Sequence, residues 1–216
     1  MLLWLRCAER ISLVIDRFPA RDFDELFAGI GAIPWEEILP QDAAMQIVCP
    51  LASNAAINSA RSAQSITKKA IIERLRRTYG PGRLPETGEK YQITVDLSAE
   101  QATVLLDACG DGLHRRGYRV QPGAAPVRET TAAAMVLLSG WPASGNEIFW
   151  DPCCGSGTLA IEAAMLTSDI APGLVRYFDC ENWVFLDQCV LEKERALARD
   201  RALAGIDRPG PVIRAS

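Results

Sequence analysis

The sequence predicts an α/β chain built in two parts, an α+β module followed by the start of a Rossmann-like, doubly wound domain. Three observations carry that expectation. Short runs of alternating apolar residues and two stretches of helical period fill the first half. A strand, a glycine loop and a helix follow one another over residues 147–166, which is how a doubly wound sheet opens. With 49% apolar residues and a mean hydropathy of +0.04, the 216 residues can bury one core or two smaller ones.

The elements follow in order. Residues 2–10 have helical spacing, and residues 11–18 read as a strand ended by Pro19. Asp22 caps a helix reaching Gly29, because Glu25 three residues on completes a capping box. A strand is expected near 45–49. Ser62 or Ser65 then caps a helix to Tyr79, with Ile66, Ala70, Ile71 and Leu75 on one face, and Gly80-Pro81-Gly82 ends it. Strands at 91–97 and 102–108 make a hairpin around Ser98-Ala99-Glu100, and 116–120 offers a further strand. The pattern changes over 121–126, which is the expected boundary. An alanine-rich helix at 129–138, a strand at 147–150 and a helix at 159–166 follow, and residues 211–216 form a last strand.

Charge and cysteine content exclude several classes. The 23 basic and 27 acidic residues give a net charge of −4, so the chain is no generic polyanion binder. Yet between Arg61 and Arg83 seven basic residues face one acid, Glu73, for a local charge of +6, and Arg115, Arg116 and Arg119 form a second cluster. A locally basic surface on an acidic chain points to a defined polyanion site. Seven cysteines without a C-x-x-C pair, and a single histidine, cannot assemble a zinc finger, so no metal is expected and reduced thiols in the cytoplasm are the simple reading. The apolar start is broken at Arg6, far short of the ~20 residues of a membrane span. His114 is read as a loop residue, Cys153 and Cys154 as loop-shaping residues with no base beside them, and Trp183 and Phe185 as core.

The glycine loop Asp151-Pro152-Cys153-Cys154-Gly155-Ser156-Gly157-Thr158 carries the most chemistry. A phosphate-binding P-loop would need a lysine that is absent. A dinucleotide fingerprint is formally met by Gly155, Gly157 and Ala160 and stays open, as does a plain glycine turn. Asp151 at the strand end would oppose a pyrophosphate, however, whereas it suits S-adenosylmethionine, which has no phosphate and carries a cationic ammonium and sulfonium. S-adenosylmethionine is therefore favoured, with Asp151, Cys153, Gly155, Ser156, Gly157 and Thr158 as the candidate cofactor-binding residues.

The run from Asp151 to Ala164 resembles the first cofactor motif of THUMP-containing class I RNA methyltransferases, the group that includes the ribosomal RNA large-subunit guanine-N2 methyltransferases. Leu113-His114-Arg115-Arg116-Gly117-Tyr118-Arg119, Ala125-Pro126-Val127-Arg128-Glu129-Thr130, Leu138-Ser139-Gly140-Trp141 and Ile170-Ala171-Pro172-Gly173-Leu174 are also similar to that family, and Gln64 to Ile71 resembles its THUMP helix. The resemblance implies a remnant of an N-terminal ferredoxin-like domain at 1–20, whose strand should lack its sheet partners. It implies a THUMP RNA-binding domain at 21–120 and the incomplete beginning of the methyltransferase domain at 121–216. Both ends are expected to be cut. The partner is RNA, of ribosomal type. Ser62, Gln64, Ser65, Lys68, Lys69, Arg76, Arg77, Arg115 and Arg116 are the candidate RNA contacts.

Two departures temper the expected activity. The loop 51–57 lacks the lysines expected there. The family's Asn-Pro-Pro-Tyr motif, which holds the target amine, is absent, since none of Asn54, Asn58, Asn146 and Asn182 precedes a proline. No catalytic residue is therefore assigned. Only 59 residues follow Gly157, too few for the rest of a doubly wound sheet. A non-catalytic RNA-binding module, a DNA-methylating enzyme and an NAD-dependent oxidoreductase are the rival functions.

Overall fold

The computed structural model describes residues 2–119, 127–141, 147–207 and 211–215. It divides into two compact units. One comprises residues 12–110 and 179–186; the other takes in residues up to 11, 111–178 and 187 onward. The chain thus passes between them at four places. The expected boundary at 121–126 lies outside the described residues.

The first unit is an α+β fold on a four-stranded sheet of order β1-β4-β3-β2, formed by β1 (Ser12–Pro19), β2 (Ala44–Val48), β3 (Lys90–Ser98) and β4 (Gln101–Asp107). β1 and β3 flank β4 antiparallel, and β2 lies parallel to β3 at the edge. The alternation read in the sequence is realised on β3, where Tyr91, Ile93, Val95 and Leu97 are buried, and on β4, where Ala102, Val104 and Leu106 are. Helices α1 (Phe23–Ala32) and α2 (Ala60–Tyr79) supply the facing layer through Leu26 and Ile30 and through Ala63, Ala70, Ile71 and Leu75. Trp35 is fully buried and donates its indole N–H to the Ile30 carbonyl. Tyr91 reaches the inserted 179–186 segment, donating to the Asn182 carbonyl at 2.8 Å.

Several expectations are corrected. The strand at 11–18 does not lack partners: β1 pairs with β4 from Ser12↔Asp107 to Pro19↔Gln101, because it belongs to this sheet. Residues 2–10 form only a 3-10 turn at Leu2–Trp4, and residues 1–20 do not form one body, since the two units part them at 11/12. Helix α2 begins earlier than read: Ser59 is its cap, accepting from the Ser62 amide, so neither Ser62 nor Ser65 caps it. Residues 116–119 form no strand. Asp22 caps α1 as expected, accepting from Glu25 N–H at 2.8 Å. Trp183 is buried, but Phe185 is 45% exposed and stacks on it.

The second unit contains α3 (Glu129–Leu138), β5 (Phe149–Asp151), α4 (Thr158–Thr167), α5 (Gln188–Ile206) and β6 (Ile213–Ala215). β5 and β6 pair in parallel, Phe149 opposite Ile213, giving the β–α–β opening of a doubly wound sheet. Helix α5 was not foreseen. Its buried face is Ala198, Ala202 and Gly205, which allows close approach. At Gly205 a Cβ would stand 1.8 Å from the Ser168 carbonyl oxygen.

Candidate functional site

Strand β5 delivers Asp151 to the loop at the start of α4. The Asp151 side chain is buried; its Oδ1 accepts the Cys153 amide at 3.1 Å, and its Oδ2 has no hydrogen-bond partner. A buried carboxylate oxygen left without a donor is costly, and the loop must supply or await one. Gly155 and Gly157 adopt positive φ, +52° and +73°, which a side chain would strain, and a Cβ at either would meet nothing within 4 Å. The space over the loop is therefore open. Gly157 is the N-cap of α4, no side chain caps the helix and no acid stands in its first turn. These features fit the cationic, phosphate-free cofactor. Cys153 is exposed and Cys154 partly so, with no base bonded to either. Ser156 and Thr158 pair through their hydroxyls at 3.0 Å.

A polar network supports this loop from below. Arg119 donates to Thr158 Oγ1 and to the Val127 carbonyl, each at 3.0 Å, and pairs with the buried Glu129 at 3.3 Å. Tyr118 donates to Glu162 Oε1 at 3.0 Å. Burial raises the Glu162 carboxyl above its ordinary range, opposed by the neighbouring Arg116, and burial beside that carboxyl raises Tyr118.

Arg116 is corrected here. Expected as an RNA contact, it is 2% exposed, pairs with Glu162 at 3.4 Å, and donates to the carbonyls of Leu5, Arg6 and Leu113. A guanidinium this enclosed holds the N-terminal segment to α4 and cannot meet a phosphate. His114 bonds Glu9, whose carboxyl is held low mainly by a hydrogen bond from Thr130.

The basic cluster of the first unit lies on one face of α2. A groove of about 760 Å³ runs between α2 and the edge strand β2, lined by Met45, Gln46, Ile47, Arg61, Gln64, Ser65, Lys68, Lys69, Ile72, Glu73 and Arg76. It brings together five expected residues, Gln64, Ser65, Lys68, Lys69 and Arg76, and adds Arg61, which the 61, 65, 68, 72, 76 spacing could have disclosed. Ser62 turns back to Ser59, and Arg77 is exposed outside the groove lining. Arg115 is exposed in the other unit, paired with Asp111. Some of the charge is spent internally: Arg74 grips Glu36 with two bonds, and Lys68 meets Glu86 at 2.7 Å.

Among the described residues no cluster of three His, Cys, Asp or Glu could hold a metal, and no helix is long and apolar enough to cross a membrane.

Residues 20–107 match the THUMP domain, and residues 116–216 match the RMKL-like methyltransferase domain. The chain is 40% identical over 202 residues to the "Putative RNA methyltransferase YpsC" of Bacillus subtilis, covering 93% of this chain and 52% of that protein. It is 36% identical to the "Ribosomal RNA large subunit methyltransferase K/L" of Syntrophotalea carbinolica, covering 99% of this chain and 32% of the relative. It therefore spans about half, or less, of the curated relatives it matches. Among solved structures, a "predicted N6-adenine-specific DNA methylase" from Listeria monocytogenes superposes with TM-score 0.91 at 41% identity, over 99% of this chain and 55% of that one. The structure of SMU.472, "a putative methyltransferase complexed with SAH", superposes with TM-score 0.85 at 40% identity, over 93% and 53%. The chain belongs to the family of THUMP-containing, RMKL-like class I methyltransferases.

Proposed function

We propose that this chain is the RNA-gripping and cofactor-loop portion of an S-adenosylmethionine-dependent ribosomal RNA methyltransferase that acts on a guanine N2 amine in the cytoplasm. The observation that carries the cofactor is Asp151, buried with one oxygen unpaired beside an open glycine loop. When bound, S-adenosylmethionine supplies an electrophilic methyl group. The chain's own share is to hold it: Asp151 answers the ammonium, and the backbone at Gly155 and Gly157 approaches without Cβ obstruction. The amides of the first turn of α4, offset by no acid, favour a negative group. Direct transfer from sulfur to nitrogen needs positioning more than a protein nucleophile, consistent with the unactivated Cys153 and Cys154.

The α2 groove supports RNA as the partner, and the THUMP domain favours RNA over the DNA named for the Listeria protein. Reversing Lys68, Lys69, Arg76 and Arg77 together to glutamate is expected to lower affinity for structured ribosomal RNA at least about tenfold. It should also flatten the salt dependence by about one log-log unit for each phosphate no longer neutralised. Filter binding across a salt series measures both. Equal affinity in the quadruple variant would remove the site from α2.

A further inference from the structure

We propose that Arg119 receives the carboxylate of the cofactor's methionine part, so that the loop recognises an amino-acid zwitterion from both ends. This rests on the cofactor reading above. The Arg119 side chain is 21% exposed and held by three contacts: Nε to Glu129, and Nη2 to the Val127 carbonyl and to Thr158 Oγ1. Its Nη1 has no hydrogen-bond partner among the described residues. Thr158 is the first residue of α4, so the guanidinium is tethered at the helix's amino end.

That placement runs against the helix dipole, which disfavours a cation there. No acid in the first turn and no side-chain cap relieves it; only Glu129, already engaged, offsets the charge. An anion would be stabilised by the uncapped amides and the free Nη1 together. The sign is opposite at the other side of the loop, where Asp151 is buried with Oδ2 unpaired. A phosphate would be drawn by the first feature and repelled by the second. An α-amino acid end, carboxylate and ammonium on one carbon, matches both.

A purely structural Arg119, tying residues 127, 129 and 158 together, would change stability without telling carboxylate from amide. Ligand-observed NMR at millimolar concentration therefore compares S-adenosylhomocysteine with its carboxamide, which differs only in that group. The wild-type chain is expected to prefer the acid about tenfold or more, as a charge-assisted hydrogen bond does. In R119M, and in R119Q, which keeps a donor for Thr158 without the charge, the preference should fall to about one. Circular dichroism identifies whichever variant is folded, and either one decides the matter. A wild-type chain that binds acid and amide alike, or a folded variant that keeps the preference, overturns the role of Arg119 alone. No uptake of S-adenosylhomocysteine by the wild type overturns the cofactor reading with it.

Discussion

Arg116 and Glu162 show how a charge can be misread from sequence alone. In the run from His114 to Arg119 every arginine has the same apparent claim to a phosphate, yet Arg115 is exposed, Arg116 is enclosed and Arg119 is bound to α4. What separates them is contact with residues more than a hundred positions earlier and more than forty later, which no local pattern encodes. Asp151 and the loop glycines were legible for the converse reason, since their chemistry is contained in eight consecutive residues. Removing one partner of a buried pair leaves the other charge uncompensated, so R116M is expected to destabilise the chain by about 3–5 kcal/mol. The R116M/E162L double variant should recover much of that. Urea unfolding followed by circular dichroism measures both; a loss in R116M within the range of surface substitutions would show that Arg116 carries no such load.

Elements with a strong period were read correctly and those without were not. The alternation in β3 and β4 and the capping box of α1 each state their structure locally. Helix α5 did not, because its buried face is made of alanines and a glycine, which give almost no apolar periodicity while permitting backbone-to-backbone packing. The partner of β1 was missed because sheet pairing joins residues about ninety positions apart. Gly205 tests the account of α5. Its Cβ would collide with the Ser168 carbonyl, so G205A is expected to cost roughly 1–3 kcal/mol despite alanine's better helix propensity. Thermal melting settles it, and a melting temperature equal to or above wild type would mean that α5 docks elsewhere.

Taken whole, the chain carries −4 charges yet concentrates its basic groove on α2, and it presents a cofactor loop while its sequence holds no Asn-Pro-Pro-Tyr motif. Orientation of the target amine can supply several kcal/mol of a barrier reduction. The chain by itself is accordingly expected to bind S-adenosylmethionine weakly if at all and to transfer no methyl group to ribosomal RNA. Tritium incorporation from labelled cofactor measures this directly. Turnover would place catalytic residues among those described here as scaffold.

The four crossings between the two units bear on heredity as well as on folding. Neither unit is encoded by one continuous stretch of gene: residues 179–186 return to the sheet unit, and residues up to 11 belong with the cofactor loop. A single recombination event near residue 110 would deprive one unit of the segment that answers the Tyr91 hydroxyl, and the other of the Leu5 and Arg6 carbonyls that hold Arg116. Such a pair cannot be shuffled between genes as independent cassettes, so the two halves are bound to be inherited, and to diverge, together.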